Sequence, residues 1–278
     1  MTIMNGKELR DKTLKELKKK VEKLDTTLGL AVIQVGTDEA STVYVNQKRK
    51  MAHEMGYKFV YKLFTKNISE KNLVREIDIL NKDDSIDGIL VQMPLPEHIN
   101  PKVIQNSIDV NKDVDGLTLT SIGRLINDEE GLVPCTPKGI IALLDYYKVP
   151  IKGKNVVVIG RSMLVGKPVA NLLINRDATV TLCHSKTKDI KSYTKNADIV
   201  IVAVGKAGFL KRDMIKKDAV VIDVGINRID GKLCGDVDYD NVSKKASLIT
   251  PVPGGVGPMT IAELACNVYE AHNLRNKI

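Results

Sequence analysis

The sequence has no tryptophan, and only three phenylalanines and eight tyrosines among 278 residues. It is short of acid: 42 lysines and arginines face 34 aspartates and glutamates, a formal charge of +8. Such an excess invites a nucleic-acid partner. The basic residues are spread along the chain, however, and few aromatics interleave with them, so the basic stripe and stacking residues of a nucleic-acid binder are missing. A solvated surface and small anionic ligands account for the charge better. Four cysteines, Cys135, Cys183, Cys234 and Cys266, lie far apart with no C-x-x-C pair. That spacing argues against a disulfide framework and a zinc site, so most are expected to be small core residues and no metal is expected. No apolar run approaches the roughly 20 residues needed to span a bilayer. With charge also within the first ten residues, a cytoplasmic protein with no membrane partner is expected. Internal repeats and low-complexity tracts are absent as well.

What is present is alternation. Hydrophobic content of 43% over this length supports one large or two ordinary domains. From Asn5 to Leu24, Leu9, Leu14, Leu17, Val21 and Leu24 recur as one face of an amphipathic helix. Leu28 to Val35 reads as a buried strand, Asp38 to Met55 as a helix that Gly56 ends, and Tyr57 to Phe64 as a strand. A helix from Ser69 to Leu80 and a buried strand from Ile86 to Val91 follow, the strand delivering Gln92 before Pro94 and Pro96. Alternating β and α predicts a parallel sheet, whose ligand crevice lies beyond the carboxyl ends of its strands.

The polar stretch Asp109 to Gly116 marks a domain boundary just after it. Residues 1–118 are expected to form one α/β domain and 119–258 a second, with a closing segment 259–278 packing back onto the first. The second domain should begin with a short helix near Ser121 to Ile126, a loop through Pro134 to Pro137 and a helix from Lys138 to Tyr147. Its centre is Asn155 to Val169, NVVVIGRSMLVGKPV. Here an apolar β-branched run stops at Gly160, and Gly166 and Pro168 open a helix, the layout in which backbone N–H groups and a helix dipole meet dinucleotide phosphates. The spacing G-R-S-x-x-x-G departs from G-x-G-x-x-G, so alone it fits nucleotide binding and an ordinary βα turn equally. After the strand Thr179 to Cys183 come His184 and Ser185, where an NAD site places an acidic residue about 20 positions past the turn. A serine there, with Arg161 inside the turn, suits a 2′-phosphate, so NADP is expected rather than NAD. Strands at Asp198 to Val204, Ala219 to Val224 and Ser247 to Thr250, then a helix from Met259 to Leu274, complete a Rossmann-type pattern.

Eight strings, STVYVNQKRK (41–50), DGILVQMPLP (87–96), KDVDG (112–116), PCTPKG (134–139), GRSMLVGKP (160–168), CHSKT (183–187), VIDVGIN (221–227) and TPVPGGVGPMT (250–260), together resemble one family. It is the bifunctional methylenetetrahydrofolate dehydrogenase/methenyltetrahydrofolate cyclohydrolase family, and the match runs in order from about Ser41 to Thr260. The resemblance implies an N-terminal α/β folate and catalytic domain, a C-terminal Rossmann-type NAD(P)-binding domain and an active-site cleft between them. It implies hydride transfer from a methylenetetrahydrofolate to NADP, then hydrolysis of the methenyl product to 10-formyltetrahydrofolate. It further implies a homodimer joined through the Rossmann-type domains and, from the length, no fused formyltetrahydrofolate synthetase domain.

Residue by residue, the resemblance makes Tyr44 a stacking platform for the pterin and Lys48 the proton-transfer group, four residues apart on one helix face. Gln92 would orient the lysine or the folate, and Asp115 would anchor the pterin; these four form the expected catalytic set. Val91 and Met93 beside Gln92, with Pro251, Pro253, Gly254, Gly255, Val256, Gly257 and Pro258, would contact the folate. Gly160, Arg161, Ser162, Ser185 and Ile226 match the cofactor contacts, and His184 is expected to be structural. On spacing alone, Tyr44, Met51 and Met55 also fit a core stripe beside a snorkelling lysine. Gln92 also fits a plain strand terminus, and Asp115-Gly116 a plain turn. One departure from the family pattern, Met163-Leu164, is apolar and expected to bear on helix packing. The rival readings are a two-domain NAD(P) dehydrogenase of shikimate or amino-acid type, which leaves Tyr44, Lys48, Gln92 and Asp115 jointly unexplained, and a non-enzymatic dinucleotide sensor or RNA-binding protein.

Overall fold

The computed structural model describes residues 2–276, with Glu39 and Ala40 described by backbone only. Residues 277 and 278 of the expected closing segment lie outside the described residues. In chain order the strands are β1 (Thr2–Ile3), β2 (Gly29–Val35), β3 (Lys58–Phe64), β4 (Gly88–Val91), β5 (Asn155–Ile159), β6 (Thr179–Cys183), β7 (Ile199–Val202), β8 (Val220–Asp223), β9 (Asn227–Ile229), β10 (Lys232–Cys234) and β11 (Leu248–Ile249). They belong to two compact units. One comprises Lys12–Cys135 with the chain from Ile261 on; the other comprises the chain up to Asp11 with Thr136–Thr260. The chain thus changes unit at Asp11/Lys12, at Thr260/Ile261 and at Cys135/Thr136, the last lying beyond the boundary expected just after Gly116. The segment between stays with the first unit because Leu132 and Cys135 are buried in its core, and because Asp113 accepts from the Thr118 N–H and the Ser121 hydroxyl, fixing the start of the helix Leu119–Ile126.

In the first unit β2 lies between β3 and β4, all parallel. Every residue of GLAVIQV is buried, as expected for a strand covered on both faces. Successive residues alternate sides: Leu30 and Val32 pack with Val45, Met51 and Met55, whereas Ala31 and Ile33 pack with Leu73, Ile77 and Leu80. The helix Glu39–Met55 starts at Asp38, whose carboxylate accepts the Ser41 N–H at 2.8 Å, and ends at Gly56 in the left-handed region (φ 74°). The helix Glu70–Asn81 is capped by Ser69 and closed by the buried Lys112, whose Nζ donates to the carbonyls of Leu80, Asn81 and Asp83. Leu264, Ala265, Val268 and Ala271 of the last helix, Val256–Asn276, fill the same core. In its middle Asn267 is fully buried, and its Nδ2 donates to the carbonyls of Val114 and Val133, each at 2.8 Å.

In the second unit six parallel strands run in the order β1-β11-β8-β7-β5-β6. The chain leaves β5 for β6 on one side and returns to β7 on the other, so the order reverses between β5 and β7. The antiparallel ribbon β9–β10, absent from the sequence reading, is closed by Asp230 (φ 48°) and Gly231 (φ 77°), the left-handed pair a two-residue hairpin needs. Two helices begin earlier than expected: Cys135–Tyr146 includes Pro137, and Val256–Asn276 includes Pro258. Each proline occupies the third helical position, where no intrahelical N–H bond is lost, so what reads as a proline loop is the first helical turn.

Replacing Asn267 by alanine removes the amide donor from the Val114 and Val133 carbonyls and should lower the unfolding free energy by about 2–3 kcal/mol, measured by urea denaturation. An unchanged midpoint contradicts this account of the clamp.

Candidate active site

Lys48 lies on the helix Glu39–Met55 and Gln92 directly follows β4, whose ladder continues through the Gln92 N–H to the Ile33 carbonyl at 2.8 Å. The Lys48 Nζ donates to Gln92 Oε1 at 2.8 Å, while Gln92 Nε2 donates to the Met93 carbonyl at 2.8 Å. The amide is therefore held at both ends, its oxygen toward the lysine. Both residues are half-buried, and Val91 beside them is buried. Tyr44, one helical turn before Lys48, is 42% exposed, whereas Met51 and Met55 are core residues. The stripe reading therefore holds for the methionines and not for the tyrosine.

Asp115 completes the group electrostatically. Burial pushes the Lys48 pKa down, opposed by the negative charge of Asp115. Burial likewise pushes Asp115 up to about 6, with Lys48 pulling it down and Asp113 pushing it further up. Its backbone is tightly placed. The preceding Val114 carbonyl accepts from Asn267 and from the Cys135 thiol at 3.3 Å. The following Gly116 has φ 64° and passes so near the Val133–Pro134 bond that a Cβ there would lie 2.6 Å from the Val133 carbonyl carbon. Asp115-Gly116 is thus a turn, but one anchored from the last helix. Asn267 escaped the sequence reading because nothing local marks a residue whose partners lie more than 130 positions away.

In the second unit every expected cofactor residue lies past the carboxyl end of a strand: Gly160, Arg161 and Ser162 after β5, Ser185 after β6, and Ile226 after β8. Pro251, Pro253, Gly254 and Gly255 follow β11, while Val256, Gly257 and Pro258 form the first turn of the last helix. The two glycines of the turn are each required. Gly160 has φ 119° and would place a Cβ 2.2 Å from the Ala203 carbonyl oxygen; a Cβ on Gly166 would lie 1.9 Å from the Gly160 carbonyl oxygen. This mutual closeness brings the backbone to the N-terminus of the helix Gly166–Ile174 without the usual fingerprint spacing. Ser162 Oγ accepts from the Val165 N–H at 3.2 Å. Arg161 and Ser185 are exposed, leaving a cation and a hydroxyl where an NAD site carries an acid. Met163 and Leu164, expected to bear on helix packing, are 46% and 51% exposed and lie outside the core. His184 shapes its own turn: its N–H donates to Thr187 Oγ1, and its Nδ1 accepts the Lys186 N–H. Among the described residues no group of three or more His, Cys, Asp or Glu is arranged to hold a metal ion, and no helix is long and apolar enough to cross a membrane.

Two family profiles match: the catalytic domain of tetrahydrofolate dehydrogenase/cyclohydrolase over residues 4–115, and the NAD(P)-binding domain of the same enzymes over residues 134–276. The chain belongs to the tetrahydrofolate dehydrogenase/cyclohydrolase family. It is 52% identical over 272 residues to the bifunctional protein FolD of Halalkalibacterium halodurans, covering 97% of this chain and 98% of that one. Among solved structures, the bifunctional FolD methylenetetrahydrofolate dehydrogenase/cyclohydrolase of Campylobacter jejuni superposes with a TM-score of 0.97 at 48% identity, covering 99% of each chain. The Trypanosoma brucei enzyme, complexed with NADP cofactor and an inhibitor, gives 0.95 at 36% identity, covering 100% of this chain and 99% of that one. Family membership removes the shikimate-type and non-enzymatic readings.

The Asp115 pKa of about 6 exceeds the ordinary 3.8, so between those values the folded state holds the extra proton, and the carboxyl opposes folding increasingly as pH rises through that window. Asp115→Asn should therefore be more stable than the wild type by about 1–2 kcal/mol above pH 6, the gap closing toward pH 4. Urea unfolding across pH tests this; a gap independent of pH contradicts it.

Proposed function

We propose that this chain oxidises 5,10-methylenetetrahydrofolate to 5,10-methenyltetrahydrofolate with NADP, then hydrolyses the product to 10-formyltetrahydrofolate. The observation that carries the reading is the Lys48–Gln92 contact at 2.8 Å, with the lysine pKa lowered by burial, in a chain of this family. A lysine acts as a base only when neutral, and desolvation raises its neutral fraction. In this reading the Tyr44 ring stacks on the pterin, and Asp115 accepts hydrogen bonds from the aminopyrimidine edge. Val91, Met93 and the Pro251–Pro258 segment supply further folate contacts. Gln92 holds the Lys48 amine toward the one-carbon bridge without adding charge. Lys48 moves the proton as water adds to the methenyl carbon and the ring opens. Loss of hydride leaves that carbon cationic, and a positive charge facing Lys48 lowers its pKa further, so the first reaction prepares the base for the second.

NADP, when bound, accepts the hydride. The chain's own groups fit it: the Gly160 turn and the start of the helix Gly166–Ile174 present backbone to the phosphates, Arg161 and Ser185 take the 2′-phosphate, and Ser162 and Ile226 complete the contacts. We extend the reading to a cytoplasmic homodimer joined through the Rossmann-type domains, as the family resemblance implies.

Lys48→Met should abolish cyclohydrolysis of added methenyltetrahydrofolate and slow NADP reduction much less, because hydride transfer depends chiefly on alignment of the bridge carbon. Parallel spectrophotometric assays read both rates, and equal losses refute the division of labour. Arg161→Ala should raise KM for NADP by about tenfold or more and leave KM for NAD nearly unchanged, since it removes a charge-assisted phosphate contact. Similar effects on both cofactors would remove Arg161 from the 2′-phosphate site.

A further inference from the structure

Asp236, between β10 and the short helix Tyr239–Val242, is completely buried. Its Oδ2 accepts the N–H groups of Val204 and Gly205 at 2.7 and 2.9 Å; its Oδ1 accepts the Lys206 N–H at 2.8 Å and the Asn227 side-chain amide at 2.9 Å. One carboxylate thus gathers three consecutive backbone donors past β7 and ties them to the segment past β8. That segment is shaped around it, for a Cβ on Gly225 would lie 2.1 Å from the Asp236 carboxyl carbon.

A second buried carboxylate braces the first. Asp223, the last residue of β8, accepts the N–H groups of Gly225, Asp236 and Val237 at 3.1, 2.9 and 3.0 Å. Gly235 passes so close that a Cβ would lie 1.9 Å from Asp223 Oδ2. The segments so held flank the point where strand order reverses. Ala203, one residue before the first of the three donors, packs its carbonyl against Gly160, and Ile226 immediately precedes Asn227.

We propose that Asp236 is a positioning residue for the nicotinamide cofactor: it gathers Val204–Lys206 and Asn227 and thereby fixes the two segments that line the crevice past β5, β7 and β8. The role rests on the NADP reading above. A carboxylate suits the task because it only accepts, with about four lone-pair positions for four donors. An asparagine of the same shape turns a donor toward at least one of those N–H groups.

The test compares wild type, Asp236→Asn and Asn227→Ala as purified full-length protein. It reads KM and kcat for NADP reduction, NADP affinity by titration, and cyclohydrolysis of added methenyltetrahydrofolate without NADP. Asp236→Asn should raise KM and the dissociation constant for NADP about tenfold, with cyclohydrolysis kept within about twofold; Asn227→Ala, which cuts one of the four contacts, should shift both constants the same way by less. A purely structural carboxylate would lose both activities together, and that result, or unchanged NADP constants, overturns the proposal. Should Asp236→Asn not fold, Asn227→Ala decides by the same criteria. Wild-type protein that reduces no NADP overturns the dehydrogenase reading itself, and the positioning role with it.

Discussion

Parallel strands send all of their C-terminal connections out of one edge, and this constraint governs where chemistry can sit in both units. In the first, β4 hands over Gln92 at the edge where β2 ends. In the second, β5, β6, β8 and β11 deliver Gly160, Ser185, Ile226 and Pro251 to a common edge, although these residues are scattered over some 90 positions of sequence. Burial of both sheet faces, visible in GLAVIQV and NVVVI, holds those edges rigid enough for the loops to act as fixed contacts.

Against that rigid background, the cost of burying charge does the chemical tuning. Lys48 and Asp115 lie in surroundings that disfavour the ionised form of each, and each partly rescues the other. Their neighbour Gln92 is neutral, so it holds the lysine without adding to the counter-charge of Asp115. A different balance operates at Asp223 and Asp236, where backbone N–H groups take the place of cations. Burial and the neighbouring Asp236 push the Asp223 pKa up to about 6 despite three accepted N–H bonds. In the first pair burial and mutual charge set the ionisation of the side chains; in the second, accepted N–H bonds hold backbone in place.

Local signals account for most of what was legible in the chain. Asp38, Ser69 and Gly56 mark helix ends because caps satisfy backbone groups within a few residues. The two proline-bearing starts, at Cys135 and Val256, were misread because a proline in a first turn and a proline in a loop have the same local sequence. β1 pairs only with β11, remote in sequence, and a two-residue strand has no periodicity to read, whereas β11 falls within the strand expected from Ser247 to Thr250.

The amino-acid sequence by itself determined the alternation of elements, the glycine turn after β5, the missing ribose acid and the motif strings that carry the family, since each depends on residues within one helical turn or one loop. The tertiary structure alone decided that Tyr44 leaves the core while Met51 and Met55 enter it, that Asn267 clamps the backbone beside Asp115, and that Asp236 gathers the loop past β7. These depend on which groups meet across the fold and how deeply they are buried, and neither quantity has a local trace in the chain.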